Sequence, residues 1–377
     1  MKSQMIRVRR RSWTALLATL MLAISVSACG SAGGNDKDGE AGEVAANPTM
    51  EELAPKARQE GAVISIGMAD TWTNFKDTWD QMKEKYGLKH SDTDMSSAEE
   101  IAKFAAEKNN PTSDIGDVGI AVAPTAVEKG VTQPYKTEFW DEIPDWAKDK
   151  DGHWIVGYTG TMSIMCNKSL VAKCPKTWSD MLEGDYQVNP GDVTRASQAQ
   201  HAVLAAAFAF GGDESNIQPG LDFFKRMAEQ GKLSKVDTNI ANIEKGEIKV
   251  AILWDFNALS YRQEFGNPDN YEVNIPTEGS VVSGYATIIN KWAPHPNAAK
   301  LARAYILSDQ GQINLAKGFA RPIRSSVQIP AEIEAKLIPS EQYANAKVHN
   351  INDFKAWENT TKELGMQWQE QVTAIIR

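Results

Sequence analysis

Residues 250–262 have the sequence VAILWDFNALSYR, and this stretch decides the fold. The apolar run that begins at Val250 is typical of a buried strand, yet it ends on an indole and a carboxylate, Trp254 and Asp255. One interpretation is a strand end whose aspartate is solvated. The other is that Trp254 and Asp255 line a cleft and contact a ligand.

Helical and strand patterns alternate on both sides of this stretch, with Gly61 and Gly87 ending two of the helices. Such alternation favours an α/β protein with parallel strands, whose ligands bind at the carboxyl ends of the strands. The predicted helices are 50–60, 75–86, 98–108, 178–182, 197–210, 221–230, 297–307 and 353–376, and the predicted strands are 62–66, 115–122, 155–165 and 250–254.

The N-terminal residues are typical of an export signal. A basic segment with Lys2 and Arg9–Arg11 precedes an apolar run over 13–26, which ends in the sequence Ser27-Ala28-Cys29 and is similar to a bacterial lipobox. We expect residues 1–28 to be a lipoprotein signal peptide and Cys29 to be lipidated. The alternative is an ordinary secretory signal in which Cys29 is incidental.

Residues 29–49 are rich in Gly, Ala, Asp and Glu and are expected to form a flexible tether. The chain carries a net charge of −9, and residues 1–28 hold five of its basic residues and no acidic one, so the mature chain would carry −14. Such a charge argues against nucleic acid and anionic lipid as partners. The predicted location is extracytoplasmic, with a lipid anchor in the bacterial cell membrane.

Two further cysteines, Cys166 and Cys174, lie eight residues apart. In an oxidising compartment they form either a disulfide or two separate thiols, and the spacing alone does not decide between these. Two thiolates without a nearby histidine do not make a zinc site. We therefore expect no metal and no cofactor.

Six segments of the chain resemble, in their order, the extracytoplasmic solute-binding proteins of ABC importers, in the cluster that binds iron, polyamines, thiamine, and phosphonates or sugar phosphates. They are 57–66 (ARQEGAVISI), 175–182 (PKTWSDML), 244–262 (EKGEIKVAILWDFNALSYR), 276–285 (PTEGSVVSGY), 293–312 (APHPNAAKLARAYILSDQGQ) and 318–322 (GFARP). The resemblance implies a two-lobe α/β fold of the type II periplasmic-binding-protein class, with two hinge crossings and C-terminal helices. It also implies a monomer that binds a small solute and delivers it to a membrane permease and an ATPase.

On this map, lobe 1 would comprise 61–157 and 284–329, and lobe 2 would comprise 158–283 and 330–377. The hinges would lie near 158–162 and 283–286, where the chain crosses between the lobes. Closure of the lobes on a bound solute is the expected response.

This assignment of the lobes favours the interpretation in which Trp254 and Asp255 line a cleft and contact a ligand. Trp254 would offer an aromatic face to a cation or a planar group, and Asp255 would accept hydrogen bonds from an amine or hydroxyls. Arg195 suits a carboxylate or a phosphate, whereas Ser197 is equally explained as a helix N-cap. Further ligand-binding candidates follow strands or begin helices, and they are Asp70, Thr71, Trp72, Ser97, Thr159, Thr194, Ser283 and Tyr285.

The nature of the solute is narrowed by comparison within the family. Iron binders place adjacent tyrosines after this strand, whereas this chain has the single Tyr261, so iron bound in that way is disfavoured. Polyamine binders share the Trp and polar pair but carry a second Trp and an Asp where this chain has Ser283 and Tyr285. Asp255 together with Arg195 would suit an aminophosphonate. The expected solute is polyamine-like or aminophosphonate-like, with ferric iron or a sugar phosphate as alternatives.

A secreted, lipid-anchored enzyme is the competing class. The sequence contains no G-x-S-x-G, H-E-x-x-H or Walker A pattern, and its five histidines are scattered. The sequence offers no recognisable pair of a nucleophile and a general base for catalysis. We therefore predict a binding protein rather than an enzyme.

Overall fold

The computed structural model describes residues 47–376. The predicted signal peptide, the predicted lipidation site Cys29 and nearly all of the predicted tether lie outside the described residues. Over residues 47–376, no helix is both long enough and apolar enough to cross a membrane.

The described part of the chain contains one large mixed sheet. Its strands are β1 (Ala62–Ile66), β2 (Lys89–Thr93), β3 (Ile115–Gly119), β4 (Trp154–Asn167), β5 (Val188–Asn189), β6 (Val250–Trp254), β7 (Tyr271–Asn274), β8 (Ser280–Ile289), β9 (Arg321–Pro322) and β10 (Val348–Asn350). They follow the order β2-β1-β3-β8-β4-β6-β5, and β7, β9 and β10 pair beside this path. Strands β1, β2 and β3 are mutually parallel, whereas β8 runs antiparallel to β3 and β4.

Fourteen α-helices of the described residues surround this sheet, and their ends follow local sequence signals. Helix α1 starts at a capping box between Thr49 and Glu52, and Gly61 ends it in the left-handed region with φ of 75°. The helices are α1 (Met50–Glu60), α2 (Phe75–Tyr86), α3 (Ser97–Ala106), α4 (Ala123–Glu128), α5 (Trp178–Glu183), α6 (Ser197–Ala209), α7 (Gln218–Glu229), α8 (Ile240–Glu244), α9 (Asp255–Glu264), α10 (Pro296–Leu307), α11 (Asp309–Lys317), α12 (Ala331–Glu334), α13 (Ser340–Asn345) and α14 (Phe354–Trp368).

The long strands β4 and β8 connect two groups of strands. Strand β4 pairs with β8 up to Thr161 and with β6 from Met162 onward. Strand β8 pairs with β3 between Tyr285 and Ile289. The changes of partner occur near the two predicted crossings, while the lobe boundaries themselves remain a prediction.

Strand β2 and helix α9 are two of the elements that the sequence-based prediction did not contain. Strand β2 has the polar sequence KHSDT and lies at the end of the sheet order, where an edge strand needs no apolar residues. Helix α9 begins at Asp255, directly after β6 and without an intervening loop. The buried strand therefore ends on Trp254 because a helix starts at the next residue.

Candidate functional site

A pocket of about 490 Å³ lies where several of these elements converge. It is bordered by the start of α3, the start of α6, helix α9 and the middle of β8. Five of the predicted ligand-binding residues line it: Trp72, Ser97, Arg195, Ser197 and Tyr285. The structure also brings residues to this pocket that the sequence did not single out, among them Glu100, Asp117, Asn257 and Tyr261.

Helices α3 and α6 both approach strand β3 at Gly119. The backbone N–H of Gly119 donates to Ser97 Oγ at 3.0 Å. A Cβ atom at this position would overlap Ser197 Oγ, so a larger residue would require Ser197 to move. Gly119 thus lets residues from two helices meet at one wall of the pocket.

The floor of the pocket carries two buried carboxyl groups. Asp117 lies within β3 and is 2% exposed, and Glu100 lies on α3 and is 1% exposed. Glu100 Oε2 accepts a hydrogen bond from the backbone N–H of Asp117 at 3.0 Å. The carboxyl group of Glu100 therefore lies against the backbone of β3 at Asp117, and both acids are buried.

A chain of hydrogen bonds links Asp117 to the aromatic wall of the pocket. Trp72 Nε1 donates to the hydroxyl of Tyr158 at 2.6 Å, and that hydroxyl donates to Asp117 Oδ2 at 2.5 Å. The rings of Tyr158 and Tyr285 stack with centroids 5.7 Å apart. Asp117 Oδ1, by contrast, has no hydrogen-bond partner among residues 47–376.

Burial controls the protonation of this floor. Loss of hydration raises the pKa of Asp117 to about 8, with a further contribution from the charge of Asp92, while the hydrogen bond from Tyr158 acts in the opposite direction. Burial also raises the pKa of Glu100 well above its usual range, and the neighbouring charge of Asp117 adds to this increase. Both carboxyl groups therefore retain protons at higher pH than ordinary surface acids.

The pocket lining is strongly acidic. Six acidic side chains and one basic side chain contribute to it, the basic one being Arg195. Arg195 Nε donates to Asp192 Oδ2 at 2.7 Å, and the arginine side chain is 62% exposed at the rim. The acidic residues are Asp94, Glu99, Glu100, Asp117, Asp192 and Asp237.

Trp254 and Asp255 do not line this pocket; they lie behind it. Trp254 is 1% exposed, and its Nε1 donates to the hydroxyl of Tyr285 at 3.2 Å. Its backbone N–H donates to Gln198 Oε1 at 2.9 Å, which ties β6 to α6. Trp254 thus contacts pocket residues and supports their positions.

Asp255 is fully engaged inside the protein. Its Oδ1 accepts from the backbone N–H of Thr161 at 3.0 Å and from that of Phe256 at 2.8 Å. Its Oδ2 accepts from the hydroxyl of Tyr343 at 2.6 Å. A carboxylate in the first turn of α9 also compensates the positive end of the helix dipole. Burial raises the pKa of Asp255, and these hydrogen bonds oppose that increase.

The other predicted candidates do not line this pocket. Asp70 and Thr71 line a separate groove beside α11. Thr194 lies on an exposed turn where its hydroxyl donates to Asp192 at 2.5 Å, and it lines a neighbouring cavity of about 230 Å³ together with Ser97, Arg195 and Ser197. Thr159 pairs with Gly284 in the sheet, and Ser283 is buried with a hydroxyl that has no partner among the described residues.

The two remaining cysteines also lie away from the pocket. Cys166, in β4, forms a disulfide with Cys174, and their Cα atoms are 5.8 Å apart. Of the two states that the spacing left open, the structure contains the disulfide.

One sequence signal pointed to Asp117, one of the two missed floor residues. In the strand sequence IGDVG every residue is buried, so Asp117 is a charged residue in the middle of a buried strand. Such a residue is rare without a partner. The partner position of Glu100 could not be inferred, because it depends on how α3 folds back over β3.

Comparisons with known proteins agree with this architecture. Residues 110–354 match the family model described as bacterial extracellular solute-binding protein. An uncharacterized protein of Haemophilus influenzae is 31% identical over 312 residues, covering 77% of this chain and 84% of that protein. A putative 2-aminoethylphosphonate-binding periplasmic protein of Salmonella typhi is 20% identical over 278 residues, covering 68% of this chain and 73% of that protein.

The solved structures show the same fold. The periplasmic binding protein AfuA of Actinobacillus pleuropneumoniae, with fructose-6-phosphate bound, superimposes with a TM-score of 0.68 at 22% identity. The match covers 82% of this chain and 98% of that one. The predicted α/β fold of the type II periplasmic-binding-protein class is thereby confirmed.

Proposed function

Because the chain belongs to the family of bacterial extracellular solute-binding proteins, which are the solute-binding components of ABC importers, we propose that it captures a small amine-bearing solute. The observation that carries this proposal is the excess of six acidic side chains over one basic side chain in the pocket lining. The proposed partners are the permease and the ATPase of an importer. Members of the family bind solutes rather than convert them, and we propose that this chain likewise is not an enzyme.

Electrostatics favours a cationic group in such a pocket. The interaction between unit charges strengthens as the local dielectric constant falls, so carboxylates in a narrow pocket attract an ammonium group and repel an anion. The rings of Trp72 and Tyr285 add to this preference, because an aromatic face attracts a cation. A solute that carries only phosphate groups would meet the opposite field.

Two classes of amine fit, and they are polyamine-like and aminophosphonate-like solutes. Arg195 at the rim supports the second class, because its guanidinium group suits a phosphonate while the acidic floor suits an ammonium group. The similarity to the putative 2-aminoethylphosphonate-binding protein of Salmonella typhi points in the same direction. A short zwitterion would then span the pocket from floor to rim.

A thermal-shift screen tests the proposal. Putrescine, spermidine and 2-aminoethylphosphonate are compared with fructose-6-phosphate, inorganic phosphate, thiamine and ferric citrate. A ligand at 100 times its Kd stabilises the folded state by about 2.7 kcal/mol, which is a readily measured increase in Tm. Stabilisation by an amine supports the proposal, whereas stabilisation by sugar phosphate or iron alone would favour those alternatives.

We also propose that the chain works as two lobes, 61–157 with 284–329 and 158–283 with 330–377, that close on the solute. The changes of strand partner near 158–162 and 283–286 support hinges at these places. Small-angle scattering of the monomer with and without putrescine tests closure, and the radius of gyration should decrease when an amine binds.

The proposed location is outside the cytoplasm, with a lipid anchor at Cys29. The lipobox-like sequence that precedes Cys29 supports this proposal. Fractionation of cells that express Cys29→Ala should find the protein released from the membrane with its solute affinity unchanged. A fully membrane-bound variant would contradict lipid anchoring at this residue.

A further inference from the structure

The pocket floor is built to hold a buried acid. A Cβ atom at Gly116 would lie 2.5 Å from Glu100 Oε2, and one at Gly67 would overlap Glu100 Oε1. Gly67 also has φ of 69°, a conformation that other residues rarely adopt. Two glycines therefore leave room for a carboxyl group against the backbone of β3.

The hydrogen bonding of this floor is incomplete. Asp117 Oδ2 accepts from Tyr158, but Oδ1 has no partner among the described residues, although Asp117 lines the pocket. Buried polar atoms without a partner are uncommon in folded proteins, because leaving one unpaired costs free energy. A donor on a bound solute would supply the missing partner.

We propose that the buried acid pair, Asp117 with Glu100 beside it, retains one proton when no solute is bound, and that an ammonium group of the solute displaces this proton. This inference rests on the proposed function, since it requires an amine-bearing solute. In the exchange, one carboxyl O–H bond breaks and the proton leaves to the solvent. The ammonium group donates hydrogen bonds to the carboxylate that remains, and no covalent bond to the solute forms.

The titratable groups around Glu100 and Asp117 favour the protonated form of this acid pair. Asp92 and Asp94 lie on the β2 side, and both act to raise the pKa of Glu100. His90 on β2 is neutral near pH 7 because burial lowers its pKa to about 4. Tyr158 on β4 and Tyr285 on β8 face the pair with hydroxyl groups whose pKa values are raised by burial.

The charged residues across the pocket do not neutralise the pair. Arg195 before α6 is paired with Asp192 and exposed at the rim, and Glu99 on α3 is also exposed. Burial raises the pKa of Asp117 to about 8, and that of Glu100 is raised as well. The empty pocket therefore keeps a proton on its floor at neutral pH.

The exchange makes solute capture dependent on pH. When binding releases one proton, affinity rises by roughly tenfold for each pH unit below the pKa of the group that loses the proton. We expect this rise between about pH 6 and pH 8, while the amines used as probes stay protonated. Acidification outside the cell would then weaken loading.

Calorimetry with putrescine and with 2-aminoethylphosphonate tests the exchange. Titrations at pH 7 in buffers of different ionisation enthalpy give the number of protons released from the slope of the binding heat. We expect about one proton for the wild-type protein. In Asp117→Asn and in Glu100→Gln the release should decrease, and affinity at pH 8 should fall by about tenfold or more.

Asp237→Asn is the matched control, because it removes an exposed carboxylate from the lining of the same pocket. This variant should keep the full proton release even if its affinity falls slightly. Wild-type binding without proton release would overturn the exchange while leaving the proposed function intact.

Failure of both amines to bind would instead contradict the proposed function. Carbon-13 NMR of the carboxyl groups in the solute-free protein then tests whether the buried acid pair is protonated. A resonance that titrates near pH 8 and is lost in Asp117→Asn supports the retained proton. A spectrum in which every carboxyl group titrates below about pH 5, as ordinary acids do, overturns it.

Discussion

Asp255 and Asp117 are two aspartates with equal exposure, 2% each, and opposite surroundings. Both oxygens of Asp255 accept hydrogen bonds, from two backbone N–H groups and from Tyr343. Asp117 has one oxygen paired with Tyr158 and one without a partner among residues 47–376. Burial alone therefore does not separate the two, whereas the completeness of their hydrogen bonding does.

The difference teaches how to distinguish a structural acid from one that is available to a ligand. Asp255 uses its full acceptor capacity to start α9 and to hold this helix against β4. Among the described residues, Asp117 has one oxygen, Oδ1, that is still free to accept a hydrogen bond, and it lines a pocket that contains further acidic side chains. We infer that the first contributes mainly to stability and the second mainly to binding, and the following variants test this comparison.

The largest effect is expected for Asp255→Ala. It leaves the buried N–H groups of Thr161 and Phe256 and the hydroxyl of Tyr343 without an acceptor, and each such group costs about 1–3 kcal/mol. We expect the free energy of unfolding to fall by about 3–5 kcal/mol in chemical denaturation. Tyr343→Phe is the graded control, since it removes only one of the three bonds and should cost about 1 kcal/mol.

A loss of stability below this range, combined with a large loss of putrescine affinity in Asp255→Ala, would contradict the inference that Asp255 contributes mainly to stability. It would mean that Asp255 contacts the solute, as the sequence alone suggested. The structure instead predicts that the folded fraction of this variant retains most of its affinity.

The next effect concerns pH. Because the pKa of Asp117 is raised to about 8, the folded state keeps a proton that the unfolded chain loses near pH 4. The folded state then binds more protons than the unfolded state, so stability must fall as pH rises across this window. One proton corresponds to about 1.4 kcal/mol per pH unit, or roughly 2.7 kcal/mol between pH 5 and pH 7.

Denaturation of the solute-free protein at several pH values measures this slope. Asp117→Asn should have a shallower slope and should be more stable than the wild type at pH 8. Glu100→Gln should reduce the slope in the same direction, because burial raises the pKa of Glu100 too. Equal slopes in all three proteins would show that the buried pair is ionised.

Much of the fold was predictable because it depends on local signals. The bounds of α1, α2, β1 and β6 agree with the prediction, since Gly61 and Gly87 end the helices and apolar runs mark the strands. Helix α9 was missed because its sequence starts with an aspartate that also suits a strand end. Its polar face is typical of a loop as much as of a helix.

The pocket was predicted only in part, for a physical reason. Ser97 and Ser197 were identified from signals for helix starts, and both line the pocket. The interpretation of Ser197 as an N-cap is wrong, because the residue that caps α6 is Ala196 and Ser197 is the first residue of the helix. Glu100 and Asp117 are neighbours only because α3 folds back over β3, and this contact depends on tertiary packing. The sequence indicates an acid in a buried strand, but not which group lies opposite.

A third prediction concerns Trp254, which lies behind the pocket. Trp254→Phe removes the donor to the hydroxyl of Tyr285, a bond of 3.2 Å, and should lower stability by about 1 kcal/mol. Because Tyr285 lines the pocket, putrescine affinity should fall by only about threefold. If the indole contacted the solute directly, the same calorimetric measurement would show a loss of putrescine affinity of about tenfold or more in this variant.

The smallest effect is expected for Arg195→Gln. The guanidinium is 62% exposed and its ion pair with Asp192 lies at the rim, where such pairs contribute about 0–1 kcal/mol to stability. Its removal takes the one positive charge from the pocket lining, so putrescine affinity should stay within about twofold of the wild type or rise slightly.

The same variant titrated with 2-aminoethylphosphonate separates the two classes of amine, since a loss of about tenfold in affinity would show that Arg195 holds the phosphonate. Asp192→Asn is the matched control, because it releases Arg195 from its partner and should strengthen binding of 2-aminoethylphosphonate under that assignment. A large loss of putrescine affinity in Arg195→Gln would contradict the acidic-pocket model, since it would require the rim cation rather than the buried acids to govern the binding of a diamine.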